Sequence, residues 1–306
     1  MEKILITGAN GYIGSRLIFY LNKKGIRPIA LIREESEWPF SLDAEIRRGD
    51  LENGGFLSDA TADADIIFHL AGAKGYDRCM EDISKTVNTN IAFTDRLIQA
   101  VRKEKIRIVF ASTYWAYGYN SPVPYREEYP LMPTEPYGWS KALAEKMIMA
   151  SGANYIIVRL ANVFGFGMGK NYEEVTSLFL ERALAGNIIS LVNGGEHCVD
   201  LISIEDVTNL LASIIKLKEE RLILNVGSGV RTSVLQLADN VNKVSRELTG
   251  NEAEIRKGVR KTDDVLFSNR WMDISRLMKL TGFKPAPVVS SIEQFAYNLL
   301  AKNTIT

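Results

Sequence analysis

The first half of the chain alternates strand-length apolar runs with segments of helical period, and this alternation constrains the fold most. The run from Asp65 to Leu70 is almost continuously apolar, as expected for a strand of a parallel sheet that is buried on both faces. Strands that alternate with helices through right-handed crossovers form a doubly wound α/β domain. The predicted strands are Lys3–Thr7, Pro28–Ile32, Ile66–Leu70, Ile106–Ser112 and Tyr155–Leu160, and the predicted helices are Tyr12–Lys23, Ser84–Lys103 and Tyr137–Ala150.

The pattern changes after about Asn162, where the glycine-rich pieces Gly165–Gly169 and Asn193–Gly195 separate shorter elements. Helices at roughly Val234–Leu248 and Ser290–Ala301 close the chain. The sequence therefore predicts a doubly wound α/β domain over residues 1–161, to which segments near 200–226 return. Residues 162–306 are predicted to form mainly a smaller α/β substrate lobe, too irregular for an independent core, with a cleft between the two parts.

Composition and charge exclude several classes of protein. Of the 306 residues 46% are hydrophobic and 24% charged, which is typical of a soluble globular chain and not of a disordered one. Lys+Arg and Asp+Glu both total 37, so nothing favours nucleic acid or an anionic membrane as a partner. The two cysteines, Cys79 and Cys198, lack metal-ligand spacing. No run of about 18 apolar residues predicts a membrane span, and we expect a cytoplasmic protein without a metal centre.

A glycine turn follows the first predicted strand directly and opens the first predicted helix. Gly8, Gly11 and Gly14 are spaced by three, which places a tight turn at the helix N-terminus. Free backbone N–H groups and the helix dipole attract a pyrophosphate at such a turn. The sequence therefore predicts that residues 1–161 form a Rossmann dinucleotide-binding domain, with NAD or NADP bound at Gly8, Gly11, Tyr12, Ile13 and Gly14.

The end of the second predicted strand reads Ile32-Arg33, where a site for NAD normally carries an acidic residue for the ribose 2′-hydroxyl. A hydrophobic side chain offers that hydroxyl nothing, whereas a guanidinium suits a 2′-phosphate. Arg33 therefore favours NADP(H), although the neighbouring Glu34 and Glu35 would repel a phosphate. Asp50, at the end of the next strand, is placed to reach the adenine amino group.

Tyr137 and Lys141 lie four residues apart at the start of a predicted helix, so they share one helix face. A nearby ammonium group, together with a positive nicotinamide ring, would favour the phenolate of Tyr137. Tyr137 is then a candidate general acid or base on a carbinol or carbonyl oxygen. Thr113 ends a strand at the carboxyl edge, where ligands of such sheets bind, and is placed to donate a hydrogen bond to the same oxygen.

Further motifs follow in order along nearly the whole chain: Thr7–Gly14, Gly49–Leu51, His69–Gly72, Asn90, Ala111–Thr113, Tyr117–Gly118, Tyr137–Lys141, Arg159–Gly165 and Asn225–Gly229. With these motifs the sequence resembles the extended short-chain dehydrogenase/reductase family, specifically its NAD-dependent epimerase/dehydratase (sugar-nucleotide) group. His69 lies near the end of a strand that is predicted to be buried, so we interpret it as a core residue and not as a catalytic residue.

The resemblance implies a role for each matching residue, and a homodimer through paired helices, one of which carries Tyr137 and Lys141. The implied catalytic set is Thr113, Tyr137 and Lys141. The implied cofactor contacts are the three glycines for the pyrophosphate, Asp50 and Leu51 for the adenine, Leu70, Ala71 and Lys141 for the ribose side, and Gly72 and Asn90 elsewhere in the site. The implied substrate contacts are Lys74 and Tyr114 at the sugar, and Asn162 and Arg260 at the phosphates.

Two departures from the family pattern bear on the reaction. Dehydratases of the group follow the active-site threonine with an acidic pair, but Tyr114 and Trp115 stand there, so a 4,6-dehydratase is not expected. Members that act on nucleotide sugars usually have Arg-Asp where this chain has Val199-Asp200, and a valine cannot hold a diphosphate. Arg260, three residues before Asp263, fits the other phosphate-binding arginine.

These observations leave three hypotheses open. The first is hydride transfer at C4 of a nucleoside diphosphate hexose, by either a 4-epimerase or a 4-ketoreductase. Arg33 favours the reductase, whereas the family motifs favour the epimerase. The second is an NADPH-dependent reductase of a small carbonyl compound, supported by Val199 and opposed by Asn162 and Arg260. The third is a non-catalytic dinucleotide sensor, which the retained Tyr137 and Lys141 argue against.

Overall fold

The computed structural model describes residues 2–38, 41–101, 106–167, 174–258 and 268–303. Its strands are numbered here in chain order. They are β1 (Ile4–Thr7), β2 (Ile29–Arg33), β3 (Glu45–Gly49), β4 (Ile66–His69), β5 (Arg107–Thr113), β6 (Asn154–Leu160), β7 (Asn162–Phe164), β8 (Ile189–Leu191), β9 (Cys198–Val199), β10 (Leu201–Ser203), β11 (Leu222–Val226), β12 (Thr232–Ser233) and β13 (Ile255–Lys257).

Seven of these strands form one parallel sheet in the order β11-β6-β5-β4-β1-β2-β3. Thr7 at the end of β1 lies opposite Leu31 of β2 and His69 of β4, so the carboxyl ends of these strands meet at one edge. The strand order reverses between β1 and β4, and open α/β sheets bind their ligands in the crevice outside that point. The predicted doubly wound parallel sheet is confirmed.

The described helices lie between these strands and after them. They are α1 (Tyr12–Lys23), α2 (Gly54–Thr61), α3 (Tyr76–Glu81), α4 (Ile83–Val87), α5 (Phe93–Ala100), α6 (Pro136–Ala150), α7 (Val175–Leu184), α8 (Ile204–Ile214), α9 (Val234–Thr249), α10 (Ser275–Thr281) and α11 (Val288–Asn303). None of them is long and apolar enough to cross a membrane.

The helix predicted over Ser84–Lys103 is interrupted, which corrects that prediction. A π-helical turn, Asn88–Ala92, separates α4 from α5. The side chain of Asn90 points out of this turn and bonds the backbone of Ala73 on another segment. Such turns occur mostly as single insertions in helices, often at functional sites.

Both faces of the central sheet are buried, as the continuous apolar strands require. Alternate residues of a strand point to opposite faces: in β1, Ile4 and Ile6 join one apolar cluster and Leu5 joins the other. Phe68 and Ile67 divide between the two clusters in the same way. The covering helices lie on both sides, so the crevice at the carboxyl edge remains the open part of this sheet.

The later part of the chain has an apolar cluster of its own, so the expectation that it lacks an independent core was wrong. Phe164, Phe179, Leu201, Val241 and Phe295 are among its buried members. Short strand pairs support this cluster, β7 with β10, β8 with β13 and β9 with β12. The strand β11 lies outside this lobe and pairs with β6 in the central sheet. The boundary between the two predicted domains stays a prediction.

Candidate active site

The glycine turn between β1 and α1 lies against the segment that follows β4. Gly8 has a φ of +67°, and a Cβ added there would lie 2.7 Å from the backbone nitrogen of Ala71. A Cβ on Gly14 would collide with the Gly8 carbonyl, and the Gly11 N–H donates to that carbonyl at 2.9 Å. Side chains at these positions would therefore force the two segments apart.

The N-terminus of α1 is free to bind an anion. Gly11 caps the helix without any side-chain hydrogen bond, and the first turn contains no acidic residue. The first N–H groups of a helix have no partner within it, and the helix dipole adds positive potential there. Tyr12 and Ile13 are partly exposed beside this turn, and the Tyr12 hydroxyl donates to Gly165 O at 3.1 Å. These residues fit a dinucleotide pyrophosphate.

The predicted adenosine end lies at the edges of β2 and β3. Arg33 is opposite Gly49 in the register of these strands, so Arg33 and Asp50 are close along the same edge. Arg33 is exposed and forms an ion pair with Glu35 at 3.3 Å. Asp50 is exposed and accepts a hydrogen bond from the Glu52 N–H at 2.8 Å, whereas Leu51 is partly buried.

The segment after β4 joins the glycine turn to the predicted catalytic helix. The Ala71 N–H donates to Thr7 Oγ1 at 3.2 Å, and Leu70 beside it is partly exposed. Gly72 lies so close to two site residues that a Cβ there would be 2.9 Å from Asn90 Oδ1 and 3.0 Å from Lys141 Nζ. This close approach brings the predicted cofactor residues next to Lys141.

His69 is a core residue, as interpreted from the sequence. Its ring nitrogens lie 3.0 Å from Thr7 Oγ1 and 2.8 Å from Thr94 Oγ1. Burial, together with the positive charge of Lys141, lowers the pKa of His69 to about 3. The imidazole is therefore neutral near pH 7 and both of its nitrogens are hydrogen-bonded.

Asn90 positions two segments of the site. Its Oδ1 accepts the Ala73 N–H at 2.7 Å, and its Nδ2 donates to Ala73 O at 3.1 Å and to Ser140 Oγ at 2.8 Å. The amide thus connects the segment after β4 to α6, and the side chain is 2% exposed. A direct contact between Asn90 and the cofactor stays a prediction.

Thr113, Tyr137 and Lys141 come together at the end of β5 and the start of α6. Thr113 is 4% exposed, and its hydroxyl forms a hydrogen bond with the Tyr137 phenol. Lys141 Nζ donates to Ala111 O at 2.9 Å and lies 4.8 Å from the ring centroid of Phe110. Burial lowers the pKa of Lys141 to about 8, although Cys79 and Glu145 act in the opposite direction.

The pKa of Tyr137 differs from the expectation that Lys141 favours the phenolate. Burial raises the pKa of Tyr137 well above its usual range of about 10, and the hydrogen bond from Thr113 offsets this only in part. The charges of Cys79 and Glu135 raise this pKa further. Protein groups alone therefore keep Tyr137 as a neutral phenol near pH 7, the form of a proton donor.

The predicted substrate residues occupy different environments. Lys74 is exposed, with Nζ 5.2 Å from the ring centroid of Tyr12, and Asn162 is partly exposed at the start of β7. Tyr114 is 1% exposed and packs edge-on against Tyr125 in the core, so little of it can touch a ligand. Arg260 lies outside the described residues.

The departure at Val199-Asp200 has a structural explanation. Val199 pairs with Thr232 between β9 and β12 and is buried. The Asp200 carboxylate accepts hydrogen bonds from the N–H groups of Ser228, Gly229 and Met272. Burial raises the pKa of Asp200 to about 6, against the effect of these bonds. Both residues hold loops together within the lobe.

Sequence reasoning missed Glu135, the residue on which α6 begins. Its carboxylate accepts the N–H groups of Tyr137 and Gly138 at 2.8 and 2.6 Å. Glutamate is not among the preferred N-cap residues, which are Ser, Thr, Asp and Asn, so capping rules do not mark it. The available signal was its place directly before Pro136, since proline favours the first helical position.

Comparison with known proteins finds similarity over most of the chain. A model of the NAD dependent epimerase/dehydratase family matches residues 4–227. A UDP-glucose 4-epimerase of Streptomyces lividans is 28% identical over 266 residues, which cover 79% of this chain and 81% of the relative. The structure of a UDP-glucose 4-epimerase with UDP-glucose from Thermotoga maritima superposes with a TM-score of 0.86 at 24% identity, over 98% of this chain and 99% of that one. A UDP-glucuronic acid 4-epimerase from Bacillus cereus, in complex with UDP-glucuronic acid and NAD, gives a TM-score of 0.84 at 22% identity, over 98% and 99%.

Proposed function

The chain belongs to the NAD-dependent epimerase/dehydratase family, and on that premise we propose that it is a 4-epimerase of a nucleoside diphosphate sugar. The observation that carries this proposal is the grouping of Thr113, Tyr137 and Lys141 beside the glycine turn, with Gly72 between them and the turn. The relatives named above are epimerases of UDP-sugars, which supports a UDP-sugar as the substrate.

In this proposal each residue acts at a defined atom. A nicotinamide dinucleotide bound at the glycine turn and Lys141 would supply reversible hydride transfer at C4 of the sugar. Tyr137 exchanges a proton with the C4 oxygen, and Thr113 donates a hydrogen bond to the same oxygen. Lys141, held by Ala111 O at 2.9 Å, contributes positive charge and binds the ribose side of the cofactor. The glycine turn binds the pyrophosphate.

The two residues that follow Thr113 argue against a 4,6-dehydratase. That reaction needs an acidic pair after the active-site threonine, and Tyr114 and Trp115 carry no carboxylate. Tyr114 is also in the core. Epimerisation at C4 needs no such group because it is a reversible oxidation without loss of water.

The experiment that tests this proposal identifies the nucleotide that the natively purified protein releases on denaturation, and then assays UDP-glucose and UDP-galactose interconversion. We expect close to one NAD per chain and conversion without net consumption of cofactor. An empty site, together with no interconversion of UDP-sugars, would contradict the epimerase proposal.

A second candidate function is an NADPH-dependent 4-ketoreductase of a nucleotide-linked keto-sugar. Arg33 favours it, because a guanidinium at the end of β2 suits the 2′-phosphate that distinguishes NADP from NAD. Arg33 is exposed, but Glu35 at 3.3 Å competes for the same guanidinium. Tyr137 and Thr113 would act on the same oxygen in both reactions.

Under this second candidate, Arg33→Ala should weaken NADPH binding by about 10- to 100-fold and change NADH binding little, since a hydrogen bond to a charged group contributes about 1.5–3 kcal/mol. Glu35→Gln is the matched control and should strengthen NADPH binding, because it removes the competing carboxylate. Fluorescence titration of the reduced cofactors measures both effects. Equal losses for NADPH and NADH in Arg33→Ala would remove the case for NADP(H).

We also propose that the protein is a homodimer through the surface of α3, α4 and α6. Two pairs of large apolar side chains lie four residues apart, Ile83 and Val87 on α4 and Trp139 and Leu143 on α6, and all four are 42–51% exposed. Wild-type protein should therefore elute from a sizing column, under light-scattering detection, at twice the mass of one chain. Ile83→Lys should give monomer, whereas Met278→Lys, on the exposed surface of α10, should not.

A further inference from the structure

Three buried polar side chains connect the end of β1 to α5 through His69. The Oγ1 atom of Thr7 lies 3.0 Å from Nδ1 of His69, and the Oγ1 atom of Thr94 lies 2.8 Å from Nε2 of the same ring. Thr7 is 0%, His69 1% and Thr94 1% exposed. Buried polar groups are costly unless they are hydrogen-bonded, so each of these contacts needs a defined donor and a defined acceptor.

The hydroxyl proton of Thr94 is used in a bond to the backbone. Thr94 Oγ1 lies 2.7 Å from the carbonyl oxygen of Asn90, four residues earlier, and a carbonyl oxygen only accepts hydrogen bonds. A threonine hydroxyl has a single hydrogen to donate. At its 2.8 Å contact with His69, the Thr94 oxygen therefore accepts, and Nε2 of His69 carries the hydrogen.

The surroundings of the imidazole keep it neutral, so its other nitrogen accepts. The ring packs against Phe93 on α5 and Phe110 on β5, with centroid distances of 5.4 and 5.3 Å. Burial and the positive charge of Lys141 on α6 both disfavour a second cation here and lower the pKa of His69 to about 3. Nδ1 therefore has a free lone pair, and Thr7 donates its hydroxyl hydrogen to it.

The hydrogen bonds of this chain all run in one direction. The Ala71 N–H donates to Thr7 Oγ1 at 3.2 Å, and Thr7 donates to Nδ1 of His69. Nε2 donates to Thr94, and Thr94 donates to the carbonyl oxygen of Asn90. The chain begins in the segment that follows β4 and ends in the π-helical turn. Removing one member leaves a buried donor or acceptor unpaired, which costs more than the bond itself contributes.

The two segments that the chain connects enclose Gly72. A Cβ at Gly72 would lie 2.9 Å from Asn90 Oδ1 and 3.0 Å from Lys141 Nζ, so the backbone at residue 72 has little room to move. Asn90 also donates to Ser140 Oγ at 2.8 Å, which connects the π-helical turn to α6. The distance between the segment after β4 and the π-helical turn therefore determines where Lys141 lies relative to that segment.

We propose that His69, as the neutral tautomer with its hydrogen on Nε2, is a positioning residue that sets the distance between Ala71 and the π-helical turn for dinucleotide binding. This inference rests on the proposed function, in which Lys141 binds the ribose side of the cofactor beside Ala71. His69 acts through these two segments. A phenylalanine would fill the same space between the apolar rings, but it would connect neither segment to the other.

The tautomer is measured first, on the wild-type protein. The chain has two histidines, His69 and His197, so ¹⁵N-labelled histidine gives two sets of ring resonances, and His197→Gln assigns them. For His69 we expect a protonated Nε2 and an unprotonated Nδ1, with chemical shifts that stay constant between about pH 5 and about pH 9, the range in which an ordinary histidine titrates. A hydrogen on Nδ1, or a ring that becomes charged in this range, would overturn the proposal.

Two substitutions of Thr94 separate the hydrogen bond from the packing. Valine keeps the shape of threonine but cannot accept from Nε2, whereas serine keeps the hydroxyl. Thr94→Val should move the ring hydrogen to Nδ1, where Thr7 Oγ1 can accept it. It should also weaken NADH binding by about 3- to 10-fold, the range of one net hydrogen bond, in fluorescence titrations after removal of any copurified nucleotide. Thr94→Ser should retain the wild-type tautomer and affinity.

Thr208→Val is the matched control. Thr208 is 2% exposed on α8, and its hydroxyl donates to the carbonyl oxygen of Ile204 at 2.8 Å, also four residues earlier. Its substitution should leave the His69 resonances unchanged and alter NADH affinity by less than about 2-fold, below the range of one hydrogen bond. Equal losses of NADH affinity in Thr94→Val and Thr208→Val would contradict the positioning role, as would wild-type tautomer and affinity in Thr94→Val.

The other end of the chain supplies a second comparison if Thr94→Val does not fold. Thr7→Val should keep the hydrogen on Nε2 of His69, because Thr94 still accepts it. It should weaken NADH binding by a similar factor, because the Ala71 N–H loses its acceptor. Thr7→Ser should restore the affinity. Wild-type affinity in Thr7→Val would overturn the proposal.

The ring resonances need neither cofactor nor turnover, so failure of this inference is distinguishable from failure of the proposed function. A wild-type protein that has the expected tautomer but binds no NADH would overturn the proposed function and the positioning role together. A Thr94→Val variant with its ring hydrogen on Nδ1, but with normal NADH binding and normal epimerisation, would retain the proposed function and overturn the positioning role alone.

Discussion

Tyr137→Phe is expected to lower kcat by about 10²- to 10⁴-fold, the range that general acid–base catalysis contributes, and to leave cofactor binding close to that of the wild type. The substitution removes only the hydroxyl, which is the group that exchanges the proton with the substrate oxygen. The ring keeps its volume, so the start of α6 keeps its packing. The glycine turn and Lys141, which carry the proposed cofactor contacts, are unchanged.

The measurement is steady-state turnover of the UDP-sugar, together with the amount of dinucleotide that each variant retains through purification. Tyr297→Phe is the matched control, because it removes a hydroxyl from a side chain on α11 that is 51% exposed. Its turnover should equal that of the wild type. Near-normal turnover of Tyr137→Phe would show that another group moves the proton.

Local patterns were sufficient to predict five of the seven strands of the central sheet, β1, β2, β4, β5 and β6, and the helix that carries Tyr137 and Lys141. The predicted helix Tyr12–Lys23 has the bounds of α1, because a glycine turn marks its start and an apolar stripe its length. The positions of Thr113, Tyr137 and Lys141 follow from sheet topology, since the end of β5 and the start of α6 meet at the carboxyl edge. Short-range patterns of this kind can be recognised in a single sequence.

Features that depend on contacts between distant residues could not be predicted. A strand ending before Asp50 was inferred, but the bounds of β3 were not, because this edge strand reads Glu-Ile-Arg-Arg-Gly, keeps charged side chains in solvent and lacks an apolar run. The core of the lobe joins Phe164, Val241 and Phe295, which are far apart in the chain and lie among irregular segments. At the π-helical turn, Asn90 forms hydrogen bonds with Ala73 and Ser140. The hydrophobic periodicity of the sequence does not predict such bonds.

A buried polar network behind the catalytic helix is a further feature that the sequence did not indicate. Arg159 on β6 forms an ion pair with Glu145 on α6 at 2.8 Å, with side chains 4% and 1% exposed. The same guanidinium donates to Tyr117 Oη at 2.8 Å, and Ser112 donates its hydroxyl to Glu145. Burial lowers the pKa of Arg159, but the hydrogen bonds to Glu145 and the negative charge of that residue raise the Arg159 pKa well above its usual range. The network ties α6 to β5 and β6.

Arg159→Met should lower the free energy of unfolding by about 3–5 kcal/mol, because it leaves the Glu145 carboxylate buried without its partner. The double variant Arg159→Met with Glu145→Leu should lose less than the sum of the two single variants, since neither charge then remains uncompensated. Arg27→Met is the matched control: its ion pair with Asp43 has the same 2.8 Å distance but side chains 61% and 69% exposed, so stability should stay close to wild type. Urea denaturation of the wild type and the four variants measures these stabilities. Equal stabilities of Arg159→Met and Arg27→Met would mean that the buried pair contributes no more than an exposed one, whereas the expected difference would show that the pair stabilises the packing of α6, the helix that carries Tyr137 and Lys141, against β6.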